Sequence, residues 1–136
     1  MDDVLLNKAS TIERYLKRIQ DEYLGHEAEL ETNFTRQDSI ILNLQRACEA
    51  CIDGAMHIVR QGKLGIPQQS RDAFAALEEN KLIDANTSER MQAMIGFRNI
   101  VVHNYQTLSL PIVRAILEQH LSDFEDFANF LVEKGS

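Results

Sequence analysis

Apolar residues return every three to four positions along most of this chain, and no stretch alternates at period two. At about 100° of turn per residue, Ile40, Ile41, Leu44, Ala47, Cys48, Cys51, Ile52, Ala55, Ile58 and Val59 fall on one arc of a helix. Asp38, Gln45, Arg46, Glu49, Asp53 and Arg60 fall on the opposite arc. This pattern predicts an amphipathic helix over residues 36–62. Thr35 would be its N-cap, with Asp38 in a first turn where the helix dipole favours a carboxylate. Gly62, Gly65 and Pro67 would end it. Leu5, Ile12, Leu16, Ile19 and Tyr23 mark an earlier helix over residues 3–30, followed by a polar stretch from Glu31 to Gln37. Ser70 would cap a short third helix over 71–80 carrying Phe74 and Leu77, and Thr87 or Ser88 would open a fourth over 88–105. Ser109 would cap a last helix over 110–133, with Pro111 in its first turn. That helix would bury Ile112, Val113, Ile116, Leu117, Phe124, Phe127, Ala128 and Leu131. The expected fold is an all-α, up-and-down bundle of four to five helices with short connections.

Composition narrows the class. A length of 136 residues fits one domain spanning 1–136. The 44% hydrophobic and 26% charged content excludes a disordered chain. Two prolines and six glycines argue against a turn-rich β-sandwich. No apolar run is long enough for a membrane span, and the acidic start Met1-Asp2-Asp3 is unlike a signal peptide, so the expected location is the cytoplasm. The net charge of −7 disfavours indiscriminate coating of nucleic acid. Residues 90–110, however, hold Arg90 and Arg98 and no acid, so a phosphate could be held there by close charges that outweigh remote, screened ones. Cys48 and Cys51 are spaced C-x-x-C without a second cysteine pair or a His-x3-5-His, which leaves a redox or zinc reading without partners. Both lie on the apolar arc as small buried hydrophobes.

Candidate chemistry concentrates in the fourth helix. Arg98 sits in an apolar neighbourhood, His103 follows three β-branched residues, and Tyr105 comes two positions later. Arg98 and Tyr105 share a stripe, as do Asn99 and His103. Arg98 and His103 are five apart, about 140° around the helix, so one rigid helix does not aim both at one atom. They could line two walls of a groove, converge if the helix ends near His103, or be completed by a second copy of the chain. Asn99 could hydrogen-bond one ring nitrogen of His103 and fix its tautomer. An arginine fork binds phosphate, and a histidine exchanges protons near neutrality. The set therefore suits phosphoryl transfer or RNA cleavage with no metal and no cofactor, the ribose 2′-hydroxyl serving as nucleophile in the second case. An ordinary structural reading also exists: Arg98 could pair with Asp53 or Glu49, and His103 could cap a helix end.

The run Gly96-Phe97-Arg98-Asn99-Ile100-Val101-Val102-His103-Asn104-Tyr105 resembles the R-x4-H-x-Y signature of HEPN domains. More narrowly, it is similar to the toxin of HEPN/MNT (HepT-like) toxin–antitoxin pairs. The stretch from Gln37 to Asp53 resembles the second helix of that family, and Leu64-Gly-Ile-Pro67 with Ser70-Arg-Asp-Ala-Phe74 resembles its connecting segment. The likeness covers residues 36–132. It implies a small helical bundle that dimerises and brings two motifs into one cleft. It implies a metal-independent ribonuclease with Arg98 and His103 as the catalytic pair and Asn99 in support. It also implies an MNT-type nucleotidyltransferase antitoxin as partner, which would attach AMP to Tyr105. Bulk and negative charge beside the arginine would then block RNA entry.

Several residues stay open at this level. Asp38, Glu49 and Asp53 are either a support shell for Arg98 and His103 or a solvated face. His57 is four after Asp53 and could pair with it. His120 falls among apolar positions, as a core or interface histidine, and His26 lies in an acidic, exposed region. Met91, Met94, Ile95 and Val102 form a stripe suited to the core or to a dimer seam. Two other functions compete with the nuclease: a non-catalytic module that docks to a nucleotidyltransferase or presents substrate to it, and a structural dimer with Arg98 locked in an ion pair. The position of Arg98 and His103 discriminates, since an enclosed, satisfied pair favours the structural reading.

Overall fold

The computed structural model describes all residues from 1 to 136. The chain is helical throughout, without strands. Its helices are α1 (Asp3–Tyr23), α2 (Phe34–Gly62), α3 (Ser70–Glu79), α4 (Ala85–His103), α5 (Leu110–Ala115) and α6 (Leu121–Gly135). Short 3-10 turns cover Glu27–Glu29 and Tyr105–Thr107. A stretch of π-helix, Ile116–His120, joins α5 to α6. No helix is long and apolar enough to cross a membrane.

The helices start where side chains satisfy the orphan N–H groups of a first turn. Asp2 accepts from the backbone N–H of Val4 and Leu5 at α1. Asn33, rather than Thr35, caps α2, its Oδ1 accepting from Arg36 N–H at 3.1 Å. The Asp72 carboxylate accepts from Gln68 and Gln69 N–H at 3.0 Å each, so α3 starts one residue before the expected point, with Gln69 rather than Ser70 as N-cap. Asp84 caps α4, accepting from Thr87 N–H at 2.7 Å. Ser88, expected near the cap, is buried and donates to the Phe74 carbonyl instead. Ser109 caps α5 as expected, with Pro111 behind it.

Two expected boundaries move. The first helix ends at Tyr23 rather than near residue 30, because Leu24 swings to an extended ψ of 127° and Gly25 turns the chain. The polar stretch that follows is tied down by buried Leu30, whose carbonyl accepts from Gln37 Nε2 at 2.8 Å. The last helix is not one rod. The π stretch adds a residue to one turn and shifts the phase of all that follows. Ile112, expected in the core, is 52% exposed, while Val113, Ile116, Leu117, Phe124, Phe127, Ala128 and Leu131 are buried as expected.

Side-chain pairs give the registers. Lys8 meets Asp53, His57 meets Asp2, and Arg36 meets Glu22, so α1 and α2 run antiparallel. Cys48 lies against the Met94 carbonyl and Tyr105 reaches Asp38, so α4 runs antiparallel to α2. Asp2 N–H donates to the Gly135 carbonyl and Arg114 reaches Tyr23, which lays the C-terminal segment back along α1. One continuous apolar core draws on every helix, with Phe74 and Phe127 edge to face at 5.4 Å. Met91, Met94 and Ile95 join it, whereas Val102 is exposed. Cys48 and Cys51 are buried free thiols. Burial pushes the Cys48 thiol up to about 12 and Cys51 upward as well, so both stay protonated and inert.

The α2–α6 contact has one tight point. A Cβ on Gly54 would stand 2.8 Å from Cδ1 of the fully buried Leu131. Gly54→Ala is expected to cost roughly 1–3 kcal/mol by overpacking. In urea titrations that cost should shrink in a Leu131→Ala background, where the clash is absent.

Candidate active site

The α2–α4 seam brings together most of the residues singled out by the sequence. Position 98 of α4 faces α2, and its guanidinium has nowhere to go but along the seam. Nε and Nη2 of Arg98 donate to Glu49 Oε2 at 3.3 and 3.2 Å, and Nη1 donates to Asn99 Oδ1 at 3.1 Å. The side chain is 26% exposed. A guanidinium carries five N–H groups. These three bonds leave one N–H unused on each terminal nitrogen of a side chain that is partly open to solvent. The site is thus oriented but not saturated.

His103 occupies the last position of α4 and is exposed, and its ring makes no hydrogen bond to another side chain or to the backbone. The expected tautomer-setting bond from Asn99 is absent; the amide oxygen of Asn99 accepts from Arg98 instead. Within one chain Arg98 and His103 do not converge. Arg98 is held against α2 by Glu49, whereas His103, at the end of α4, is exposed to solvent.

Tyr105 follows in a 3-10 turn and points back to α2. Its Oη donates to Asp38 Oδ1 at 2.6 Å. Burial and the Asp38 carboxylate push its phenol up to about 12, so it is neutral at pH 7. Asp38 and Glu49 stand three turns apart on α2, roughly 16 Å along its axis. The tyrosine hydroxyl and the arginine fork therefore mark opposite ends of one seam.

The three carboxylates separate by role. Glu49 holds Arg98 and Asp38 holds Tyr105. Asp53, expected to support Arg98, instead pairs with Lys8 at 3.4 Å on the α1 side of α2. His57 does not pair with Asp53 either; its Nε2 lies 2.9 Å from Asp2 Oδ2, linking α2 to the cap of α1. The acid-free segment 90–110 is not a positive patch in three dimensions. Asp123 meets Arg90, Glu49 meets Arg98, and Asp38 takes the tyrosine proton side.

His120 is displaced from the core by the π turn. It is nearly half exposed, with Nδ1 3.2 Å from the buried Asp123, which also holds Arg90. These groups rim a groove of about 550 Å³ between α4 and α5, walled by Phe97, Ile100, Ile112 and Ile116. His26 is partly exposed and its Nδ1 lies 3.0 Å from Glu29 Oε2. One residue of the neighbourhood escaped the sequence reading. A Cβ on Gly96 would stand 3.0 Å from Nη2 of Arg71, an exposed cation from α3 laid against the α4 face that continues through Asn99 to His103. The signal for it was a glycine inside a helix, where glycine costs about 1 kcal/mol unless close approach requires it.

A small all-α bundle with an R-x4-H motif closing one helix, the arginine oriented from a second helix, defines a HEPN-type domain. Comparison with known proteins agrees and narrows it. The model of the ribonuclease HepT-like family matches residues 12–131. The mRNA nuclease HepT of Shewanella oneidensis is 52% identical over 131 residues, covering 96% of this chain and 98% of that protein. The tri-AMPylated Shewanella oneidensis HEPN toxin, solved in complex with its MNT antitoxin, superposes with a TM-score of 0.92 at 51% identity, covering 98% of this chain and 99% of that one. A toxin–antitoxin structure with AMP-PNP gives a TM-score of 0.91 at 51% identity, covering 96% and 99%. The chain belongs to the ribonuclease HepT-like family.

The two seam contacts should differ in weight. Glu49→Ala strands a half-buried guanidinium and is expected to cost roughly 1–2 kcal/mol in urea unfolding. Tyr105→Phe removes only a surface hydrogen bond and should cost less than about 1 kcal/mol.

Proposed function

We propose that this protein is the toxin of a toxin–antitoxin pair, an endoribonuclease that acts without a metal or other cofactor. Its antitoxin is an MNT-type nucleotidyltransferase that neutralises it by AMP transfer to Tyr105. One observation carries the reading: an arginine held by Glu49 and Asn99 with a free fork, on the same helix as an unpartnered histidine. The Glu49 pair alone would also suit a structural arginine; what favours a site is that Arg98 keeps unbonded N–H groups and the His103 ring is exposed, so both are available to a ligand. The relative named as an mRNA nuclease, and the HEPN toxin solved with its MNT antitoxin, support the same assignment.

In this reading His103 takes the proton of a ribose 2′-hydroxyl as that oxygen attacks the adjacent phosphorus. Arg98 binds the phosphate through its free fork and stabilises the charge that builds on it. The bond to the 5′-oxygen breaks with its electron pair, leaving a 2′,3′-cyclic phosphate on one fragment, and the departing 5′-oxygen takes a proton from water or from the second copy's histidine. Since Arg98 and His103 diverge within one chain, two copies supply the cleft. Ile100, Val102 and Ile112, exposed by 40%, 43% and 52%, frame the motif and would be covered by such pairing. The protein acts as one domain over residues 1–136. We assign it to the cytoplasm, where RNA and a nucleotide-dependent partner would be met.

Purified unmodified protein is expected to cleave RNA in the presence of EDTA. His103→Ala and Arg98→Ala should each lower the rate by about 100-fold or more at unchanged fold. Full biological effect from His103→Ala would instead identify a docking module. Val102→Arg with Ile112→Arg should yield a monomer by sedimentation and abolish cleavage.

A further inference from the structure

The Tyr105–Asp38 contact has no role in RNA cleavage as derived above, yet it is the shortest hydrogen bond in the motif. At 2.6 Å it has the length of a charge-assisted O–H···O⁻ bond. Both partners are exposed, so a second protein could reach them without unfolding the bundle. Asp38 forms no other hydrogen bond or ion pair, and no other charged group acts on the phenol. The tyrosine is also fixed from behind. Its 3-10 turn is closed by Thr107 N–H to the Asn104 carbonyl at 3.0 Å and by Leu108 N–H to its own carbonyl at 3.0 Å. The phenol is thus aimed from two sides, with one free carboxylate on its proton.

Accepting AMP poses a chemical problem for this hydroxyl. A neutral phenol is a weak nucleophile, and here ionisation is made harder, not easier. A group must remove the proton as the new bond forms. We propose that Asp38 is that group: the toxin carries its own general base for AMP transfer to Tyr105. The inference rests on Tyr105 being the acceptor. As Oη bonds to the α-phosphorus of ATP, the bond from that phosphorus to the bridging oxygen breaks. Pyrophosphate leaves with the electron pair. The phenolic proton passes to Asp38 Oδ1 and then to water. Afterwards Oη has no hydrogen to donate, and a phosphodiester anion beside a carboxylate is repelled. The adduct therefore swings away from Asp38, and the reverse approach is disfavoured.

The test uses the full chain with its MNT nucleotidyltransferase in excess, ATP and magnesium. The first AMP addition is followed by intact mass between pH 6 and 9. Asp38→Asn keeps an oxygen that can accept the phenol hydrogen bond, but it is not a base. It is expected to react about 100-fold more slowly near pH 7. Its rate should climb about tenfold per pH unit, as hydroxide replaces the lost base, while the wild type stays nearly flat. Asp38→Glu should recover part of the rate. A melting temperature within a few degrees of wild type shows that the variant is folded. An unchanged rate for Asp38→Asn overturns the proposal. So does a slower rate with the wild-type pH profile, which would make Asp38 a positioning residue only. If wild-type protein gains no AMP, or Tyr105→Phe gains as much, the reading of Tyr105 fails, and this base falls with it.

Discussion

The ion pair between Arg98 and Glu49 is the constraint around which the candidate site is organised. A guanidinium placed along a helix–helix seam has to be paired, because a half-buried unpaired cation is costly. Glu49 supplies that partner from α2, and in doing so it fixes where the free fork points. The helices on either side are held by apolar packing that leaves no freedom of register. Cys48 against the Met94 backbone and Gly54 against Leu131 set α2 in place between α4 and α6. Stability and pre-organisation are therefore the same contact seen from two sides.

The phosphate-binding role proposed for Arg98 carries an electrostatic cost from the carboxylate beside it. Any phosphate that reaches Arg98 also approaches Glu49. Binding then depends on directed hydrogen bonds at short range more than on a broad positive field. This agrees with a chain of net charge −7 whose sequence-local basic segment is matched by acids from α2 and α6. Arg71, laid in the notch at Gly96, adds a cation on the side of α4 that leads to His103. Recognition in such a setting favours an RNA that presents its backbone at the right angle over one that is merely anionic.

Much of this was legible in the residue pattern. The α2 arc separated core from polar positions correctly, and both cysteines fell inside. The spacing of Arg98 and His103 left open whether they line two walls of a groove, converge at a helix end or are completed by a second copy; α4 does end at His103, and the two side chains share no hydrogen bond. Identifying Arg98, Asn99, His103 and Tyr105 as a set came from the family resemblance, since periodicity alone gave only a possible phosphate site. What was not legible depends on tertiary register. Nothing local to His57 says that α1 presents Asp2 to it rather than α2 presenting Asp53. Asn33 and Thr35 are both N-cap residue types, and the structure uses Asn33, the stronger of the two, three residues after buried Leu30. A π stretch has no sequence signature, so the half-exposed position of His120 was not legible; the exposure of Ile112, which lies before that stretch, reflects instead that α5 turns this side chain away from the bundle. The acid-free run 90–110 was real in sequence and absent in space.

The separation of Asp38 and Glu49 along α2 has a consequence for how a site like this is turned off. A group attached at Tyr105 is anchored three turns from the arginine fork, so it does not need to break the Arg98–Glu49 pair to interfere. It obstructs the approach and leaves the machinery beneath intact. Such a site is masked rather than dismantled. Detaching the group would return an already assembled fork and histidine, with no refolding step and no lost register to recover.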